Sequence, residues 1–218
     1  MRGVYLVTDR GLCGQRLLED VVSLALQGGA AYIQLREKDM STRAFVEEAR
    51  KVKEIMAPFR AFLIINDRID VALAVGADGV HIGQEDMPFH TARKLMGKGA
   101  LIGLSVETWE DVVHAEGLDV DYLGVSPVFA TPTKTDTKSP WGLEGLARIR
   151  AFTRHPLVAI GGLNASNAAD AVRAGASCIA VVSAICAAPD PLQATRELHA
   201  IIQAARRPLM PPWNTTEA

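Results

Sequence analysis

The chain has little cysteine, no long apolar run and no excess of charge of one sign. Cys13, Cys178 and Cys186 are odd in number and lack metal-ligand spacing, which argues against a disulfide framework or a zinc site. Reduced thiols in a cytoplasmic protein are the expected state. No segment approaches the apolar length that crosses a bilayer. Residues 1–9 are too few, and turn polar too soon, for a secretory leader. A formal net charge of -2 argues against nucleic acid or a membrane surface as partner. What is present is ordinary for a soluble globular protein: 49% hydrophobic and 22% charged residues in a chain of 218, enough to bury a substantial core.

Short β-branched runs alternate with longer amphipathic stretches throughout. The expected strands are 4–8, 32–36, 62–66, 79–82, 101–105, 122–125, 157–160 and 178–182. The expected helices are 17–27, 42–56, 68–75, 89–96, 108–115, 143–152, 165–174 and 191–205. Eight strands, each followed by a helix and with no break in composition, give the pattern of an α/β protein made of a single (β/α)8 TIM barrel. A doubly wound open sheet fits the alternation less well, because the count is eight and polar residues gather at strand ends. Residues 1–206 are expected to form the barrel, and 207–218, with Pro208, Pro211 and Pro212, a flexible tail. Asn214-Thr215-Thr216 matches a glycosylation sequon by chance in such a setting. Glycines in the Gly28-Gly29, Gly76 and Gly175 segments are expected to end helices in the left-handed conformation.

Active sites of such barrels lie at the C-terminal ends of the strands. There Tyr32, Gln34, Arg36 and Lys38 alternate, so they project to one face while Ile33 and Leu35 face the other layer. Gathering an amide, a guanidinium and an ammonium at one strand end is costly unless an anion fills the space. Asn66-Asp67 and Asp86 supply acidic partners at neighbouring ends. Alone, Asp67 reads as a cap for the helix near Arg68 and Asp86 as one before Pro88. Together, and beside the cations, they suit Mg²⁺ held by two carboxylates with phosphate and water completing its shell. His81 has no second histidine at ligand spacing and reads as an inward imidazole bonded to a neighbour.

The segment 126–134 is long, stiffened by Pro127 and Pro132, and ends in Thr131-Pro132-Thr133-Lys134, two hydroxyls and a cation suited to an anion. Residues 135–141 are expected to act as a lid. Gly161-Gly162 after the seventh strand and Val182-Ser183 after the eighth occupy the usual phosphate position of these barrels. Two separate anion regions in one mouth suggest a transferase joining two small phosphorylated molecules. No Ser-His-Asp or Cys-His arrangement stands out, and departure of a metal-bound diphosphate needs none.

Gln34-Leu35-Arg36-Glu37-Lys38, Ile65-Asn66-Asp67, the run from Gly79 through Asp86, Thr131-Pro132-Thr133-Lys134 and Ala159-Ile160-Gly161-Gly162 occur in one order. In these blocks, spread over nearly the whole chain, the sequence resembles the thiamine-phosphate synthase family. The resemblance implies a Mg²⁺-dependent TIM-barrel enzyme of thiamine biosynthesis. It would join hydroxymethylpyrimidine diphosphate to a thiazole phosphate, release pyrophosphate, and lose CO₂ when the thiazole is carboxylated. Carried over by match, Gln34, Arg36, Lys38, Asn66, Ser105 and Lys134 would hold the pyrimidine diphosphate, with Lys134, Ser105 and Arg36 catalytic. Asp67 and Asp86 would carry the metal; Thr131, Thr133, Gly162, Val182 and Ser183 would bind the thiazole phosphate. Departures are small: Ala130 stands where proline is expected, and a second lysine is missing after Lys134. Rival readings are a thiazole tautomerase on the same barrel, which needs neither the aspartates nor the Thr-Lys loop, and a phosphate-ligand sensor. The partners are small molecules in each case, and a homo-oligomer is left open.

Overall fold

The eight β-branched runs lie parallel, pair in chain order, and close when the eighth meets the first. The computed structural model describes residues 1–131 and 138–206. The strands are β1 (Gly3–Val7), β2 (Ala30–Leu35), β3 (Phe62–Asn66), β4 (Gly79–Ile82), β5 (Leu101–Val106), β6 (Tyr122–Val125), β7 (Leu157–Ala159) and β8 (Cys178–Val181). The major helices are α1 (Leu18–Gln27), α2 (Thr42–Met56), α3 (Ile69–Val75), α4 (Phe89–Met96), α5 (Trp109–Glu116), α6 (Gly142–Phe152) and α7 (Ala168–Arg173). A one-turn helix α8 (Ser183–Cys186) precedes the long α9 (Pro191–Ala205). The expected closed α/β barrel is therefore the observed one, and the open sheet is excluded.

Strand alternation divides the apolar residues into two cores. Ile33, Leu35, Leu63, Ile65, Ile102 and Leu104 pack outward against the helices. Tyr5, Tyr32, Ile64, Tyr122, Val158 and Ala180 fill the barrel interior. Glycine supplies room where this interior is crowded: a Cβ on Gly103 would lie 2.0 Å from Cζ of Tyr122. One on Gly124 would lie 2.7 Å from Cε1 of His81.

Helix ends follow from local chemistry. Ser41 caps α2 by accepting from the Ala44 amide, and Thr108 with Asp111 forms a capping box on α5. Gly76 closes α3 in the left-handed conformation at φ 60°, and Gly29 and Gly175 also have positive φ. Gly28 departs from expectation: its φ is -77°, so handedness does not require glycine there. Space does, because a Cβ would come within 2.5 Å of the Thr195 Cβ. The 207–218 tail lies outside the described residues.

Candidate active site

A cavity of about 980 Å³ opens at the C-terminal rim of the strands. Gln34, Arg36 and Lys38 all line it, as alternation requires, although β2 itself ends at Leu35. Thr8 holds this edge in place: its amide donates to the Gln34 carbonyl at 2.9 Å, and its hydroxyl accepts from the Arg36 amide at 3.0 Å. Glu37 points away and pairs with Arg10, which also meets Glu48 at 2.7 Å.

Asp67 and Asp86 come together at the same rim. Asp67 has φ 60°, and its amide donates to the His81 carbonyl at 2.9 Å. Among the described residues it alone takes a positive φ without being glycine, a conformation that costs of order 1 kcal/mol. It does not cap α3, whose N-cap is Arg68 with no side-chain cap. Asp86 accepts from the Gly83 amide at 2.7 Å and likewise does not cap α4. The two carboxyls are close enough for the charge of one to bear on the other. Burial first, and then this contact with Asp86, push the Asp67 carboxyl up to about 6, while Arg36 and Asn66 pull it down. A carboxylate pair in this state calls for a proton or a cation between its oxygens. Among the described residues no group of three or more metal-ligating side chains forms, and two carboxylates suit a magnesium shell completed by water and phosphate.

Opposite, Gly161 and Gly162 take φ 97° and 65° after β7. A Cβ on Gly161 would lie 2.6 Å from the Pro127 Cβ, and one on Gly162 would lie 2.7 Å from the Ala130 carbonyl oxygen. Glycine thus lets this turn press against the loop after β6, which carries Thr131 into the cavity. Val182 is the N-cap of α8, and Val182 and Ser183 also line the cavity.

The family model described as Thiamine monophosphate synthase matches residues 4–185. The chain belongs to the thiamine monophosphate synthase family. It is 56% identical over 201 residues to a thiamine-phosphate synthase of Albidiferax ferrireducens, covering 92% of each chain. It is 54% identical over 203 residues to the Leptospira biflexa thiamine-phosphate synthase, covering 91% of this chain and 97% of the relative. The solved thiamine phosphate pyrophosphorylase of Pyrococcus furiosus superposes with a TM-score of 0.85 at 38% identity, over 94% of this chain and 97% of that one. Family membership makes the chain an enzyme of the transferase class.

Of the residues that the family pattern singles out, Gln34, Arg36, Lys38, Asn66, Asp67, Asp86, Ser105, Thr131, Gly162, Val182 and Ser183 share one cavity. Thr133 and Lys134 lie outside the described residues, as does the first part of the expected lid, residues 135–137. Trp141, at the lid's other end, donates its amide to the Pro127 carbonyl at 2.9 Å. Sequence reasoning passed over Tyr5, Tyr122, Glu107, Asp111 and Lys138, which also line the cavity. Tyrosines inside a β-rich run read as core, and only the strand register brings these two together. His81 bonds Tyr122 and Ser105, as an inward imidazole with polar neighbours should. Among the described residues no helix is long and apolar enough to cross a membrane.

Proposed function

We propose that the protein condenses 4-amino-2-methyl-5-hydroxymethylpyrimidine diphosphate with a thiazole phosphate, giving thiamine phosphate and pyrophosphate. The meeting of Asp67 with Asp86 beside Arg36, in the same cavity as the Gly161-Gly162 turn, is the observation that carries this reading. It supplies one region for a metal-diphosphate and another for a phosphate.

Arg36, Lys38 and Lys134 neutralise the diphosphate, with Asn66 donating hydrogen bonds to it. Their positive charge favours scission of the carbon–oxygen bond, the electron pair leaving with the diphosphate. The electron-rich aminopyrimidine stabilises the methylene cation while Gln34 and Ser105 hold the ring in place. Thr131, Thr133, Gly162, Val182 and Ser183 grip the thiazole phosphate so that the thiazole nitrogen faces this carbon. The nitrogen lone pair forms the new carbon–nitrogen bond, and a carboxylated thiazole then loses CO₂. Asp67 and Asp86 would hold Mg²⁺, which when bound supplies charge neutralisation to the diphosphate. The three buried, free thiols fit the cytoplasmic setting included in this reading.

The test omits each substrate in turn. With both substrates and Mg²⁺, thiamine phosphate and pyrophosphate should appear together. Isomerisation of the thiazole phosphate alone would favour the tautomerase, and binding without turnover would favour the sensor.

A further inference from the structure

A continuous hydrogen-bond chain crosses the barrel at the floor of the cavity. Gln34 Nε2 donates to the Tyr5 hydroxyl at 2.8 Å, and the Tyr5 and Tyr122 hydroxyls meet at 2.8 Å. The Tyr122 hydroxyl lies 3.0 Å from His81 Nδ1, and His81 Nε2 lies 2.8 Å from Ser105 Oγ. Tyr5 and Tyr122 are 1% and 0% exposed, so bulk water does not supply substitutes for these bonds. Burial keeps both phenols protonated, with acidities shifted well beyond the ordinary range.

With Gln34 donating through its amide nitrogen, proton counting sets the direction of the remaining bonds. Tyr5 accepts from Gln34, so its own hydrogen goes to Tyr122. Tyr122 then spends its hydrogen on His81 Nδ1, which must be the bare nitrogen of a neutral ring. His81 therefore carries its hydrogen on Nε2 and donates it to Ser105. The Ser105 hydroxyl hydrogen remains to be donated into the cavity that Ser105 lines. Gln34, with its NH₂ engaged, retains a carbonyl acceptor. Reversing one bond would reverse all four.

Two interior positions have given up side chains to seat this chain. Gly103 lies opposite Tyr122 in register, and a Cβ there would overlap the phenol; Gly124 does the same for the imidazole. Barrel interiors are ordinarily packed with bulky residues.

We infer that Tyr5, Tyr122 and His81 form a polarity relay: positioning residues that make Ser105 a donor and Gln34 an acceptor on opposite sides of one substrate ring. Resting on the aminopyrimidine reading above, the relay presents complementary groups to a ring bearing an amino donor and ring-nitrogen acceptors. It acts through Ser105 and Gln34 and does not touch the reacting atoms.

Two measurements test it. In the double-mutant cycle of Tyr5→Phe with Ser105→Ala, the two side chains are separated by Tyr122 and His81, so independent roles would multiply to within about twofold. The relay predicts that Tyr5→Phe lowers kcat about tenfold in the wild type and under about threefold in the Ser105→Ala background. Equal losses in the two backgrounds, or no loss at all, would overturn it. Nitrogen-15 NMR of the unliganded wild type should show His81 as neutral with its hydrogen on Nε2, a state that Tyr122→Phe should depopulate. A hydrogen on Nδ1 in the wild type would overturn the relay. Absence of any turnover in the wild type would sink the proposed reaction instead, and the NMR result would still decide the relay.

Discussion

Asp67 and Asp86, two carboxyls of like charge, face one cavity at the rim of the barrel, close enough for Asp86 to raise the Asp67 pKa. Asp67 is held there in a left-handed backbone conformation and Asp86 by the Gly83 amide. Such a pair destabilises the folded chain unless a shared proton or a cation relieves it. The proposed metal site rests on this pair.

Asp67→Asn should therefore separate activity from folding. The amide removes one of two like charges but keeps the shape. Metal-dependent turnover should fall by at least about 100-fold, while the melting temperature stays level or rises. Undiminished turnover across a magnesium titration would refute the metal assignment.

Stability should respond to pH in the sense set by Asp67. Its carboxyl ionises near 3.8 when unfolded and at about 6 in the fold. Between these values the folded form holds a proton that the unfolded form has lost. The contribution of Asp67 is thus fully present below 3.8 and is lost as pH rises through 6. Magnesium should restore it where the pair is ionised. Thermal shifts with Mg²⁺ should be small at pH 5 and larger at pH 8; equal shifts would count against a metal competing with that proton.

Gly103→Ala should be costly despite adding a single methyl group. Its Cβ would fall 2.0 Å from a ring carbon of the buried Tyr122. A loss of about 1–3 kcal/mol is expected from such overpacking. Chemical denaturation would measure it, and an unchanged midpoint would show that the tyrosine can move aside.

Lys134→Ala should reduce turnover more than thiazole affinity. Its charge is assigned to the departing diphosphate, which gains negative charge only as the bond breaks. Steady-state kinetics would separate the two effects. A rise in the thiazole KM at constant kcat would move Lys134 to the other subsite.

The barrel was legible because its signals are local. Runs such as Phe62–Asn66 and Gly79–Ile82 announce strands by β-branching and by the glycines and aspartates that bound them. Gln34, Arg36 and Lys38 were legible because alternation alone puts them on one face. The short α8 escaped because four residues carry no helical period. The Tyr5–Tyr122 contact escaped for a different reason: its residues are 117 positions apart and meet only once the barrel has closed. Asp67 was ambiguous from sequence, since an aspartate before a helix is an ordinary cap; its backbone angle and the uncapped start of α3 remove the cap reading.

The most direct test of the central claim is product stoichiometry from the purified protein supplied with both phosphorylated substrates. With Mg²⁺ present, thiamine phosphate and pyrophosphate should form one for one, and a chelator should stop both together. Pyrophosphate release without thiamine phosphate, or formation of neither, would contradict it.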